Sequence, residues 1–88
     1  MPKQSVTLSQ LDKVKNLAQA APGQSLRIVG LTGEDAHQRR LMAMGLVSGK
    51  EIILETRAPM GDPRIYAILG YRLTLRNDDA RHVLVTEP

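Results

Sequence analysis

Large apolar residues recur two positions apart in three segments of the chain. The pairs are Leu26 and Ile28, Ile52 and Leu54, and Val83 and Val85. Two further segments, 64–69 and 71–76, alternate apolar residues with arginine, tyrosine or threonine. Because successive side chains of a strand point to opposite faces, this pattern predicts about five short strands.

The third and fourth of these strands each present two different faces. Ile65, Ala67 and Leu69 alternate with Arg64 and Tyr66, and Tyr71, Leu73 and Leu75 alternate with Arg72, Thr74 and Arg76. The fourth strand therefore has one apolar and one cationic face. Short strands joined by close turns predict a closed or nearly closed barrel, which removes the unpaired edges that invite aggregation.

A helix is predicted over residues 7–21, ahead of the strands. Its narrow apolar stripe has spacings of three and four, Ser9 caps it, and Pro22-Gly23 ends it. The stripe is formed by Leu11, Val14, Ala18 and Ala21, with Leu17 widening it. We expect it to lie against the barrel or against a second copy of the chain.

A second helix is predicted over residues 35–44, between the first two strands. Thr32 is the expected N-cap, and Gly45 suits the left-handed position that follows a helix end. Leu46 would then contact Leu41. A single turn at 77–80 completes the order strand, helix, three strands, turn, strand. This order predicts a mainly β fold, an SH3-like barrel with one inserted helix and an extra N-terminal helix.

Length and composition place the chain among single-domain proteins. Its 88 residues are 42% hydrophobic, which supports one modest core. We expect a helical extension over 1–22 and the barrel over 23–88. The chain has no cysteine, its first residues lack the apolar core of a signal peptide, and it has no 18-residue apolar run. These features predict a cytoplasmic location.

The net charge of +3 raises nucleic acid as an alternative partner. The cations that would contact it are Arg72 and Arg76 with Thr74 between them, together with Arg57 and Arg64. However, the 12 cations are interleaved with 9 carboxylates, and aromatic residues make up only 2% of the chain. Since bases stack on aromatic platforms, we expect no nucleic-acid binding.

Two segments are candidates for contact with another protein. The first is the hairpin turn at 58–63, where an apolar side chain at a loop tip suits protein docking. Its candidate residues are Pro59, Met60, Gly61 and Asp62. The second is the helix near Leu41, Met42 and Met44, although Leu41 and Met44 also suit the core.

Metal ligands are sparse, and no catalytic constellation is present. His37 and His82 are the two imidazoles, and Glu34 lies three residues before His37 on the same helical face. Glu34 and His37 could share a metal ion, but two ligands make a weak site unless a second chain completes it. No spacing indicates a triad or a phosphate-binding loop, so we expect neither an enzyme nor a required cofactor.

Four short motifs follow one another in a fixed order. They are Pro22-Gly23, then Arg39-Arg40-Leu41-Met42 with Met44-Gly45-Leu46 and Gly49, then Ala58-Pro59-Met60-Gly61-Asp62-Pro63, and last Gly70-Tyr71 with Leu73 and Leu75-Arg76. Together they resemble the ferrous iron transport protein A family, FeoA, over residues 23–86. Met60 stands where leucine is common. The departure is at the front, where two to three helical turns are expected to be added before Pro22.

The resemblance implies a cytoplasmic accessory protein of bacterial ferrous iron uptake. Its implied partner is the cytoplasmic region of a FeoB-type membrane transporter, so the chain would meet the membrane only through that partner. A metal-sensing module that binds ferrous or zinc ion is a further alternative. The extra amphipathic helix is also compatible with a homodimer.

Overall fold

A curved antiparallel sheet forms most of the molecule in the computed structural model, which describes residues 14–57, 59–68 and 70–88. In chain order the elements are β1 (Lys15–Asn16), a 3₁₀ helix (Leu17–Gln19), β2 (Ser25–Leu31), α1 (Asp35–Ala43), β3 (Glu51–Arg57), β4 (Arg64–Ile68), β5 (Tyr71–Leu75), α2 (Asn77–Ala80) and β6 (Val83–Thr86). The strands are ordered β1-β6-β2-β3-β4-β5, and every neighbouring pair is antiparallel. The predicted mainly β fold with an inserted helix is confirmed.

Two β-bulges bend the sheet around one core. The β2–β6 register shifts between Ile28 and Gly30, and the β3–β4 register shifts between Leu54 and Thr56. A bulge adds a residue to one strand and increases its local bend and twist. The largest fully buried side chains are Leu17, Leu26, Ile28, Leu41, Leu46, Ile52, Leu54, Tyr66, Leu75, Val83 and Val85. The predicted inward faces of β2, β3 and β6 are therefore confirmed.

Strand β4 alternates as predicted, but its buried face is the one that carries Arg64 and Tyr66. Both of these side chains and Ile68 are buried, whereas Ile65 and Ala67 are half-buried. The reason is that Arg64 reaches backbone carbonyl oxygens inside the fold, donating from Nη1 to Ala20 at 3.3 Å. A buried cation is tolerated when its donors are occupied in this way.

Helix α1 ends as its sequence predicts. Gly45 has φ +99°, its N–H donates to the Met42 carbonyl at 2.9 Å, and the Leu46 N–H donates to the Leu41 carbonyl at 3.2 Å. This is a Schellman motif, and Leu41 and Leu46 are both buried beneath it.

The start of α1 differs from the prediction. The N-cap is Glu34, which makes no side-chain capping bond, so Thr32 is not the cap. Thr32 instead extends the contact between β2 and the residue before β6, since its N–H donates to the His82 carbonyl at 2.8 Å.

The predicted helix over residues 7–21 is wrong for the part that is described. Residues 7–13 lie outside the described residues. Beyond them, Lys15 and Asn16 pair with Val85 and Leu84 of β6, and a 3₁₀ helix follows. Leu17 and Ala20, three residues apart, point into the core, which matches the three-residue repeat of a 3₁₀ turn. The division of the chain at residues 22 and 23 stays a prediction.

Candidate functional site

The turn between β3 and β4 carries the most exposed large apolar side chain of the described residues. Met60 lies at the tip of residues 59–63, and 92% of its surface is accessible. Asp62 and Pro59 beside it are also exposed, and Gly61 adopts φ +86°. This turn, called the hairpin tip below, presents a flexible thioether to solvent, and such side chains adapt well to partner surfaces.

Side chains from two other elements hold the hairpin tip from below. Asp62 Oδ1 accepts the N–H of Asn77, the first residue of α2, at 2.9 Å. Asn77 Nδ2 donates to the Gly61 carbonyl at 3.2 Å, and Arg64 Nε donates to the same carbonyl at 3.4 Å. The turn is thus tied to α2 and to the buried end of β4.

Helix α1 contributes one large apolar residue that is exposed, Met42, with 44% of its surface accessible. It borders a shallow groove of about 140 Å³ between α1, β2 and the segment after α1. The groove is lined by Gly30, Leu31, Gln38, Met42, Leu46, Val47 and Ser48. The groove is small compared with ligand-binding pockets, so any contact here would depend mainly on the exposed Met42 side chain.

The other two helical candidates are less available for contact. Leu41 is fully buried in the core, so its side chain cannot touch a partner in this conformation, and we remove it from the candidate surface. Met44 is partly buried and packs against the core. Helical spacing placed both residues on one face, and that face is the one turned inward.

Tyr71 belongs to this region, although we did not predict it as a site residue. It is 45% exposed, and its hydroxyl donates to the Met44 carbonyl at 2.8 Å. Tyr71 was part of the Gly70-Tyr71 motif, but the residue that it contacts, Met44, lies 27 positions away along the chain. Such a distant contact leaves no trace in local periodicity.

The hairpin tip and Met44 lie toward opposite ends of the β4–β5 ladder. At the hairpin end Arg64 is opposite Leu75, and at the other end Ile68 is opposite Tyr71, which holds Met44. At about 3.3 Å per residue, this part of the ladder is roughly 13 Å long. The two candidate segments are therefore separate contact areas on the molecule.

Helix α2 is bonded both to the hairpin tip and to α1. Asn77 at its start holds the hairpin tip, while Asp79 Oδ1 accepts from His37 Nε2 at 2.9 Å and from Arg40 Nη2 at 3.2 Å. His37 and Arg40 belong to α1. Two residues of one short helix thus contact both the hairpin tip and α1.

The two predicted imidazole ligands come together, and the third candidate does not join them. The rings of His37 and His82 meet edge to face with centroids 4.9 Å apart, and both Nδ1 atoms border Gly33. Glu34 is exposed. Within the described ranges, no group of three or more His, Cys, Asp or Glu side chains is arranged to hold a metal ion.

Two of the cations proposed to contact nucleic acid are engaged within the protein. Arg64 is only 8% exposed, and Arg72 Nε forms an ion pair with Glu55 Oε1 at 2.8 Å. Thr74 and Arg76 are exposed on the outer face of the sheet and just beyond it. Whether these residues bind nucleic acid stays a prediction.

Helices long and apolar enough to span a membrane are absent from the described part of the chain.

Comparison with known proteins identifies relatives of this arrangement. A family model described as "FeoA domain" matches residues 15–87. The NMR structure of a FeoA-like protein from Clostridium acetobutylicum is 36% identical with a TM-score of 0.79, covering 85% of this chain and 87% of that chain. The match begins at β1, so the strand and 3₁₀ helix before Pro22 belong to the matched region.

Two further relatives carry names that bear on function. The crystal structure of Stenotrophomonas maltophilia FeoA, a prokaryotic SH3 domain protein complexed with zinc, is 27% identical with a TM-score of 0.69, covering 80% of this chain and 87% of that chain. A fusion of Fe(2+) transport protein A with the Fe(2+) transporter FeoB in Porphyromonas gingivalis is 35% identical over 69 residues. This match covers 78% of our chain and 8% of the fusion protein.

Proposed function

The chain belongs to the FeoA family, and we propose that it is a non-enzymatic, cytoplasmic accessory of ferrous iron uptake that binds and regulates a FeoB-type transporter. The fusion protein of Porphyromonas gingivalis supports this partner, because it joins the two kinds of domain in one chain. A covalent link raises the effective concentration of one domain near the other and so favours weak contacts between them.

The exposure of Met60 is the observation that carries the proposal. Its side chain is 92% accessible, so a partner that covers it removes a large apolar area from water and gains binding free energy. The turn that carries it is held by hydrogen bonds. Pro59, Gly61 and Asp62 form the rest of this contact. Met42 with its groove, and the exposed part of Met44, form a second contact at α1 and its C-terminal end.

Regulation would follow from unequal binding to two conformations of the transporter's cytoplasmic region. A protein that binds one conformation more tightly raises its population, and each tenfold preference corresponds to about 1.4 kcal/mol. Two separate contacts suit this role, because a partner that moves its parts relative to each other can satisfy both contacts in one conformation only.

A binding measurement with three variants tests the proposal. We would measure the affinity of the full chain for the purified cytoplasmic region of the cognate FeoB-type transporter by calorimetry. We expect Met60→Asp to weaken binding by about 30-fold or more, as removal of a central apolar contact does. Met42→Asp should have a smaller effect, since that residue is only partly exposed.

Thr74→Asp is the matched control. It adds the same charge to another exposed position of the sheet and should bind like the wild type. Equal affinities for Met60→Asp and Thr74→Asp would remove the hairpin tip from the interface.

A second candidate function is transition-metal binding, with ferrous or zinc ion, at His37 and His82. The contact between the two rings favours metal binding. Asp79 accepts a hydrogen bond from His37, as carboxylates do from histidines that bind a metal ion. Further ligands would come from a second molecule, which would make a metal-linked homodimer. We would titrate zinc and follow the molecular mass by sedimentation. The wild type should become a dimer and His82→Ala should stay a monomer. If both proteins stay monomers at every zinc concentration, the metal-linked homodimer is excluded.

A further inference from the structure

Asp62 is exposed and acidic, and its carboxylate accepts a hydrogen bond from the backbone of α2. Its Oδ1 accepts the backbone N–H of Asn77 at 2.9 Å. Among the ion pairs formed by the described residues, none includes the Asp62 carboxylate. The side chain thus acts as a hydrogen-bond acceptor that closes the base of the hairpin tip.

Asn77 completes the closure from the same position. Its side-chain amide donates from Nδ2 to the Gly61 carbonyl at 3.2 Å, so one residue contacts two consecutive residues of the tip. The Gly61 carbonyl also accepts from Arg64 Nε at 3.4 Å, and a carbonyl oxygen has two lone pairs for this purpose. The residue next to Met60 is therefore held from two sides.

We infer that Asp62 and Asn77 are positioning residues that fix the orientation of Met60 for its partner, and that the Asp62 charge does not itself contact the partner. The inference rests on the proposed function of the hairpin tip. It changes the role assigned to Asp62, from a contact residue to a residue that acts through Met60.

The physical reason is the cost of ordering a loop on binding. A turn that is free to move must lose conformational freedom when a partner covers it, and this loss weakens the affinity. If only a fraction of the molecules holds the tip in the binding orientation, the apparent affinity falls by that fraction. The hydrogen bonds that Asn77 donates to Asp62 and to Gly61 raise the fraction of molecules whose tip is already in the binding orientation.

Three variants separate positioning from direct contact. Asp62→Ala removes the acceptor, whereas Asp62→Asn keeps an oxygen acceptor at the same place and removes only the charge. Asn77→Ala removes the donor to Gly61 without altering an exposed residue of the tip. Since Asn77 Oδ1 is buried without a partner among the described residues, its removal also relieves an unfavourable group, and we expect the fold to survive.

Association and dissociation rates with the purified cytoplasmic region of the cognate FeoB-type transporter provide the readout. We expect Asp62→Ala and Asn77→Ala to slow association by about 2- to 10-fold, the size of one lost hydrogen bond, with little change in dissociation. Asp62→Asn should associate like the wild type. Met60→Asp should instead speed dissociation, as the loss of a contact does.

Hydrogen exchange at the Asn77 amide reports the closure without any partner. Exchange should be faster in Asp62→Ala and unchanged in Asp62→Asn, because only the first variant loses the acceptor. Equal exchange in both variants would overturn the inference, as would equal association rates for Asp62→Ala and the wild type. A loss of binding in Asp62→Asn as large as in Asp62→Ala would show that the charge is a contact.

These outcomes are distinguishable from failure of the proposed function. If Met60→Asp binds like the wild type, the hairpin tip is not the docking site and the proposed function fails. If Met60→Asp loses binding while Asn77→Ala and Asp62→Ala behave like the wild type, the docking site stands and the positioning role is overturned.

Discussion

The Tyr71 hydroxyl donates a 2.8 Å hydrogen bond to the carbonyl oxygen of Met44, and its ring end lies against Gly45. A Cβ added at Gly45 would overlap the Tyr71 oxygen and lie 3.1 Å from Cζ. Gly45 also has φ +99°, which side-chain-bearing residues rarely adopt. The contact joins the end of α1 to the start of β5. Glycine suits position 45 for two reasons: it has no Cβ that would overlap Tyr71, and it adopts a positive φ without strain.

Gly45→Ala should destabilise the protein more than Gly49→Ala. Gly49 has a similar φ of +93° but open space around it, so alanine there costs only the left-handed backbone penalty of about 1–2 kcal/mol. At Gly45 the overlap with Tyr71 adds about 1–3 kcal/mol. Urea unfolding of both variants measures the difference. In a Tyr71→Ala background the extra loss at Gly45 should disappear, and its persistence would contradict this explanation.

Asp79→Ala should destabilise the protein more than Asp78→Ala. Asp79 is bonded to His37 and Arg40 of α1, and its side chain is 27% exposed, whereas Asp78 is 82% exposed and pairs only with Arg81. We expect Asp79→Ala to lower the free energy of unfolding by about 0.5–1.5 kcal/mol and Asp78→Ala to leave it nearly unchanged. Thermal unfolding of the two variants compares them, and equal melting temperatures would show that the tie between α1 and α2 carries little energy.

Tyr66 should make the protein sensitive to alkaline pH. Burial raises the pKa of its phenol above the ordinary value of 10.0. The Arg64 guanidinium acts in the opposite direction, but the hydroxyl has no partner in hydrogen-bonding geometry among the described residues, so burial dominates. The folded state therefore holds this proton more tightly than the unfolded chain does. The resulting stability is fully present below the unfolded pKa and is lost as pH rises through the folded pKa.

Tyr66→Phe is the control for that effect. It removes a buried hydroxyl without a partner, so at about pH 8 it should be as stable as the wild type or more so. Between about pH 8 and pH 10.5 the wild type should lose stability relative to the variant, as measured by urea unfolding. Parallel pH profiles would show that Tyr66 does not ionise differently in the folded and unfolded states.

Local signals in the sequence predicted the parts of the fold that local forces decide. The end of α1 needed only Gly45 and Leu46, and both behave as their residue types require. In β4 the alternation was predictable, but the buried face was not. Arg64 turns to that face because it donates to the carbonyl oxygens of Gly61, three residues before it, and of Ala20, 44 residues before it. The second of these contacts cannot be read from local alternation.

Contacts between distant segments explain the remaining differences. Nothing near Lys15 and Asn16 signals that they pair with β6, and their neighbours have a helical apolar spacing instead. Within the candidate site, the turn at Met60 was predictable from its proline and glycine residues. Its attachment to Asn77 was not, because that bond joins residues 15 positions apart.

The ion pair between Arg72 and Glu55 should weaken the binding of nucleic acid to this protein. Arg72 Nε lies 2.8 Å from Glu55 Oε1, so the most direct phosphate-binding candidate of β5 is already neutralised. We expect a fluorescently labelled random oligonucleotide to bind the wild type weakly at low salt. Glu55→Gln releases the arginine and raises the net charge, so it should bind more tightly, with an affinity that falls as salt increases.

Thr74→Gln, which leaves the charges unchanged on the same face, should bind like the wild type. Micromolar binding by the wild type that is lost on adding salt would restore the nucleic-acid hypothesis, because it would show that free cations outside this pair suffice.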